Sequence, residues 1–192
     1  KLNTYVSPEK ELTDKSINLA FNKKLADDRK EWLKQYDENN ILDYKIPKTK
    51  IEDFVNKELI HFSNSDLHRS VGTFDGMKPS QRKILYSCLK RNLTSEIRVA
   101  QLAGYVSENA NYHHGEKSLQ DAIIGMAQTY VGSNNIAVLM PNGQFGTRLK
   151  GGADHASERY IFTALNPITK FLYNPDDLNV LKYLDDDGTS IE

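Results

Sequence analysis

Cysteine is nearly missing from this 192-residue chain, and its single thiol, Cys88, excludes an internal disulfide and a four-cysteine zinc site. That thiol falls in a helical pattern with Ile84, Leu85 and Leu89, which predicts a buried packing residue. Long apolar runs are missing too: nothing approaches the ~18 residues a membrane helix needs. The opening KLNTYVSPEKEL has neither a signal-peptide core nor an arginine-rich transit pattern, so no membrane partner is expected. No internal repeat or low-complexity tract is present. An excess of one charge is also lacking, since 25 basic and 26 acidic residues leave a formal charge of −1. What the chain does have is 39% apolar content, enough for a real core in one medium domain or a domain with an appendage.

The near-zero charge hides an uneven distribution. Between Arg69 and Gln101 lie seven basic residues (Arg69, Lys78, Arg82, Lys83, Lys90, Arg91, Arg98) against Asp75 and Glu96. From Asn174 to Glu192 six acids stand against Lys182. A polyanion would be steered to one face of such a chain, although solvated helix faces produce similar runs.

Residues 1–15 are polar and expected to be loose, and 16–38 read as a short extended piece followed by a helix, with Asp27 or Asp28 as N-cap and Trp32 as anchor. Residues 39–48 read as a linker closed by Pro47. Thr49 and Glu52 have capping-box spacing, and Phe54, Val55, Leu59 and Phe62 predict a helix over about 50–66. Pro79 suits the first turn of the next helix, a shorter one is expected over 98–107, and Leu119, Ala122, Ile123, Met126, Ala127 and Tyr130 form an apolar stripe over 115–131. The period then changes. Ile136 to Met140 reads as a strand, Arg159 to Ala164 as its return, and the polar 144–158 as a wing between them. Asp187-Gly188 marks a C-terminal hairpin. The expectation is a mixed α+β, mainly helical fold, of the winged-helix type: a helix-turn-helix variant with a β wing.

The chemistry-bearing words are DGMKPSQRK (75–83), VAQLAGYVSE (99–108), YHHGE (112–116), VGSNNI (131–136) and PNGQFGTRLKGGADHASERYIFT (141–163). The last ends on Arg159-Tyr160. A phenol, with an ordinary pKa near 10, attacks little at neutral pH unless a cation or metal stabilises its oxyanion, and Arg159 is such a cation. Taken alone an Arg-Tyr pair carries little, because a packed strand tyrosine is commoner. Adjacent His113 and His114 would point in different directions on a helix, and no further ligand set stands near them, so phosphate contact at a helix N-terminus is the better reading than a metal.

These words, in this order and across about 69–165, resemble the DNA breakage and rejoining domain of type IIA DNA topoisomerases, in the eukaryotic and large-virus branch. The resemblance implies Tyr160 as nucleophile and Arg159 as stabiliser of the phosphoryl transition state. It implies DNA contacts by Arg69, Lys78, Gln81, Arg82, Lys83, Tyr112, His113 and His114, with Arg148 on the wing. Upstream, residues 20–24 and 27–32 look like the last stretch of a Toprim domain, in which Arg29 and Lys30 also touch DNA. The domain expectation is therefore a Toprim tail and linker over 1–45, then a winged-helix breakage-rejoining domain over 46–192.

Four positions depart from the family's pattern: Val71, Gly72, Ser80, and Glu158, whose carboxylate would compete with phosphate for Arg159. The family's metal-binding acids and ATPase are expected outside this chain, which reads as a fragment. Mg²⁺ and ATP are then cofactors of the full-length enzyme, and none is expected to be held by residues present here. The implied partners are double-stranded DNA and a second copy of the parent, in a nucleus or, for a viral source, in a virus factory or the host cytoplasm or nucleus. Two alternatives remain: a winged-helix module that binds duplex DNA without chemistry, and a domain whose basic face meets acidic protein.

Overall fold

The computed structural model describes residues 4–72, 75–112, 115–180, 183–186 and 189–191. Two compact units divide it, Lys1–Thr73 and Phe74–Glu192. The linker at 39–48 lies inside the first unit. No described helix is long and apolar enough to cross a membrane.

In the first unit β1 (Thr4–Val6) pairs in parallel with β2 (Lys48–Lys50), Tyr5 opposite Thr49. The start expected to be loose instead forms α1 (Lys10–Phe21), so the short extended piece expected from residue 16 is helical as well. Leu12, Ile17 and Phe21 are exposed, only Thr13 is fully buried, and Leu19 and Ala20 alone pack against the core, so no stripe announces it. A 3-10 turn (Lys23–Leu25) leads into α2 (Ala26–Leu33). Leu25, not Asp27 or Asp28, stands at the N-cap of α2 without a side-chain bond, and Asn22 caps the preceding 3-10 turn, accepting from the Lys24 N–H at 3.0 Å. Trp32 is buried as expected and its indole N–H donates to Asn56 at 2.9 Å.

The Thr49-Glu52 capping box does not form. Thr49 is used as the buried residue of β2, and Lys50 stands at the N-cap of α3 (Ile51–Phe54) without a side-chain bond. A π-helical turn (Val55–Leu59) follows, then α4 (Ile60–Ser70), four residues beyond the predicted end. The wider turn slips the helical phase, bringing Ile60 into the core beside Val55 and Trp32 and leaving Phe62 62% exposed.

The second unit is built on three helices, α5 (Pro79–Lys90), α6 (Val99–Asn109) and α7 (Glu116–Ala127). Pro79 stands in the first turn, where its missing N–H has no partner to lose. Ile84, Leu85, Cys88 and Leu89 meet Val99, Leu102, Ala103 and Val106, spaced i, i+3, i+4 and i+7, and Leu119, Ile123 and Met126 complete the core. Truncating a fully buried leucine here, Leu102 or Leu119, should cost about 2–5 kcal/mol. α7 ends at Ala127, four residues before the expected boundary, because Gln128 turns extended.

The strand expected at Ile136–Met140 is reduced to one isolated bridge, Leu139 with Leu165, and a second, Asn142 with Phe162, follows it. Its return is also shorter, β4 (Phe162–Thr163), whose other edge pairs antiparallel with β3 (Ile97–Arg98). A short helix α8 (Thr169–Leu172) precedes the C-terminal hairpin, β5 (Leu184–Asp186) against β6 (Thr189–Ile191); the second strand is where the sequence placed it, whereas the first, expected over Val180–Leu184, begins only at Leu184. Its turn residues Asp187 and Gly188 lie outside the described residues. The fold is mixed α+β and mainly helical.

Candidate functional site

Residues 158–160 form a tight turn, not the start of a strand. The Tyr160 N–H donates to the Ser157 carbonyl at 2.8 Å. The turn is gripped from behind by the start of α6, whose first N–H groups have no intrahelical acceptors. Val99 N–H donates to the Ile161 carbonyl and Ala100 N–H to the Glu158 carbonyl, each at 3.1 Å. These anchors bracket Arg159 and Tyr160, and Ile161 is 1% exposed. Tyr160 is 73% exposed. Arg159 is exposed beside it, and among the described residues neither side chain has a hydrogen bond or ion pair. The pinned turn thus carries a solvent-facing guanidinium and a solvent-facing phenol on consecutive residues.

The competition expected from Glu158 does not occur. Its carboxylate is paired with the Lys117 ammonium on α7, and its side chain is 15% exposed. Lys117 also pairs with Asp121 one turn on, at 2.8 Å. The hydrogen bond from Lys117 holds the Glu158 carboxyl below its ordinary range, with a smaller contribution from its own backbone N–H. Asp121 first, and then Glu158, raise the Lys117 ammonium. Asp121, His155 and Glu158 offer ligand atoms within 4.8 Å of one another. The Lys117 ammonium already sits on both carboxylates, and a histidine-containing set suits Mg²⁺ poorly, since that ion prefers six oxygen ligands.

The polar 144–158 arm is folded back on itself. Gln128 donates to the Phe145 carbonyl at 2.9 Å and the Gly152 carbonyl at 3.3 Å, and Phe145 is buried. Thr147 donates its N–H and hydroxyl to Asp154 at 2.8 and 2.7 Å, which holds that carboxyl below the usual range. Gly152 has φ +82°, and a Cβ there would lie 2.4 Å from the Gln128 amide nitrogen, so only glycine fits. The closed arm presents an exposed 3-10 tip, Arg148-Leu149-Lys150. Arg148 points there without a partner among the described residues.

Other predicted residues divide by what they touch. Lys78 is exposed at the N-cap of α5, and the Gln81 side chain accepts from its N–H at 2.9 Å. Arg82 makes a two-pronged pair with Asp75, at 2.7 and 2.9 Å, in a half-buried setting. Lys83 donates to the Asn111 carbonyl at 3.1 Å. Tyr112 packs against the core with its hydroxyl 3.5 Å from Ser118, just before Gly115 caps α7. His113 and His114 lie outside the described residues.

In the first unit Arg29 donates to the Leu19 and Asn22 carbonyls at 3.1 and 2.7 Å, closing the end of α1. Lys30 pairs with Asp27 at 2.7 Å, and Arg69 with Asp66 at 3.5 Å, both in the open. Sequence reasoning missed Lys117, Asp121, Gln128 and Asp154. Asp121 lies one helical turn after Lys117, which a helix-spacing search would have found; the other contacts join positions too far apart for periodicity to reveal.

The DNA gyrase/topoisomerase IV family model matches residues 69–192, and that of the C-terminal associated domain of TOPRIM matches 3–67. The chain is 55% identical over 177 residues to DNA topoisomerase 2 of Saccharomyces cerevisiae, and 56% over 185 residues to that of Arabidopsis thaliana. Those alignments cover 92% and 96% of this chain but 12% and 13% of the relatives, so it spans about an eighth of their length. Among solved structures, the Plasmodium falciparum topoisomerase II DNA-binding, cleavage and re-ligation domain matches with a TM-score of 0.76 at 49% identity, over 98% of this chain and 25% of that one. With its sequence matched through residue 192 and its fold shared with a cleavage domain, this chain belongs to the type IIA DNA topoisomerase family.

Proposed function

We propose that the chain is part of the breakage and rejoining region of an ATP-dependent DNA topoisomerase II. That parent cuts a duplex through Tyr160, passes a second duplex through the gap and reseals the first. The observation that carries this reading is the pinned turn that presents Arg159 and Tyr160 side by side to solvent. The Tyr160 oxygen bonds to phosphorus as its proton leaves, the bond from phosphorus to the 3′ oxygen breaks, and that oxygen takes up a proton. The product is a 5′-phosphotyrosine and a free 3′ hydroxyl. Resealing runs the same exchange backwards and needs no added energy, because the phenolate is a good leaving group. Arg159 stabilises the charge that builds on the phosphoryl oxygens, a contribution of roughly a few kcal/mol.

The second unit is the winged helix in this reading, with the 144–158 arm as its wing and Arg148 at the tip. The Toprim tail and linker over 1–45 fall in the first unit, with Arg29 and Lys30 near DNA; Arg69, assigned to the 46–192 domain, is also near DNA and lies in that same unit. Lys78 and the amides that open α7, with Tyr112, His113 and His114, meet the DNA backbone. Gln81, Arg82 and Lys83 support that surface, two of them through the contacts to Lys78 and Asp75 described above. Recognition through phosphates is largely independent of sequence. Mg²⁺, held by acids of the parent's Toprim domain, would supply charge neutralisation at the cleaved phosphate. The parent works as a homodimer in the nucleus, two tyrosines opening one double-stranded gate.

The test is relaxation of supercoiled DNA by the full-length protein with ATP and Mg²⁺. The expected result is that Tyr160→Phe abolishes relaxation and keeps DNA affinity. Relaxation by that variant would reject the assignment. A wild type that binds duplex DNA with a steep salt dependence but never relaxes it would favour the pure binding module.

A further inference from the structure

We propose that Lys117 is a positioning residue that holds the Glu158 carboxylate away from Arg159 and so keeps the guanidinium available to phosphate; this rests on the reading of Arg159 and Tyr160 given above. A carboxylate next in sequence to a guanidinium is its nearest potential partner, and one bound there would neutralise the charge that the phosphoryl group needs. The structure shows another outcome. Glu158 is anchored through its carbonyl to the Ala100 N–H, and its carboxylate turns toward α7, where Lys117 and, at 3.4 Å, the Ser157 hydroxyl donate to it. Its side chain is 15% exposed there, whereas Arg159 and Tyr160 face solvent.

Among the described residues, Lys117, Asp121 and His155 are the titratable groups gathered at Glu158. Asp121 shares the Lys117 ammonium at 2.8 Å, and His155 places a ring nitrogen within 4.8 Å of both carboxylates. Lys117 occupies the first turn of α7, where a cation is opposed by the helix dipole. A lysine there is unfavourable for the helix alone, and the two carboxylates it meets offset that. Removing the ammonium leaves Glu158 with the Ser157 hydroxyl at 3.4 Å and its own backbone N–H and no cation, and Arg159, one residue away, becomes its natural charged partner.

The experiment uses the full-length protein with Mg²⁺ and measures the rate of covalent adduct formation on a duplex, alongside DNA affinity. Lys117→Met is expected to slow adduct formation by about tenfold or more. Glu158→Gln is expected to remain near wild type. The double variant Lys117→Met with Glu158→Gln is expected to return to within about twofold of wild type, because no competing carboxylate remains. DNA affinity should change little across the set, and thermal melting confirms that each variant is folded. If Lys117→Met forms a Tyr160-dependent adduct at the wild-type rate, or if the double variant stays as slow as Lys117→Met, the inference is overturned while the nucleophile assignment stands. An adduct that survives Tyr160→Phe overturns both.

Discussion

Ala100 and Glu158 are joined by a 3.1 Å backbone hydrogen bond that ties the first turn of α6 to the residue before Arg159. Proline in the first turn of a helix is tolerated but has no N–H. Ala100→Pro should therefore leave α6 in place, remove this anchor, and destabilise the unit by about 1–3 kcal/mol through the abandoned carbonyl. Covalent cleavage should fall at least about tenfold, by misplacement of the reacting pair. Circular dichroism, thermal melting and the adduct rate check this together; wild-type cleavage in a folded Ala100→Pro variant would show that the anchor does not position the turn.

Arg82 and Lys78 stand one helical turn apart and should respond differently to removal. Arg82 is paired two-pronged with Asp75, so Arg82→Ala should lower stability by about 1–3 kcal/mol. Lys78 is exposed at the N-cap, so Lys78→Ala should leave melting within about 0.5 kcal/mol of wild type. Its effect should appear in DNA binding, with the log–log salt slope reduced by about 0.9 if it neutralises one phosphate. Titrations at several salt concentrations, with melting curves, separate the two.

Burial pushes the Cys88 thiol up from 9.0 to about 12, with Arg91 opposing weakly. The folded protein should accordingly resist alkylation at pH 8 and label only on unfolding. Because the folded pKa lies above the unfolded one, the stability linked to this thiol is fully present below pH ~9. It is lost progressively as pH rises toward ~12. Labelling with and without denaturant tests the first statement, and denaturant midpoints between pH 8 and 11 test the second.

The helices α5, α6 and α7 were legible because each buries one apolar stripe whose spacing matches the helical period, and because Pro79 marks a start. Trp32 was legible as an anchor for a similar reason: it is the one tryptophan in an otherwise polar stretch. α1 was not, since Leu12, Ile17 and Phe21 face outward, only Leu19 and Ala20 at its end pack against the Trp32 cluster, and pairs such as Lys15 with Glu11 at 3.1 Å line its surface. Thr49 carried a capping pattern but was claimed by a parallel pairing with Tyr5, a contact 44 positions away. Arg159 and Tyr160 were found from motif words, whereas their support was invisible there. Lys117 to Glu158 spans 41 residues, and Gln128 to Gly152 spans 24. Arg29 and Arg82 were recognisable as basic residues in the right words; that one holds helix carbonyls and the other Asp75 depends on where the chain folds back.

The central claim is that Tyr160 attacks the DNA backbone, and the most direct measurement is a denaturing gel for a covalent protein–DNA adduct formed by the full-length protein with Mg²⁺, with the linked peptide mapped by mass spectrometry. Tyr160 is 73% exposed and lacks a described partner, so Tyr160→Phe should fold as wild type does, within about 0.5 kcal/mol. The account predicts an adduct on the 5′ phosphate, mapped to Tyr160 and abolished in Tyr160→Phe. An adduct that persists in that variant, or maps to another residue, would contradict it.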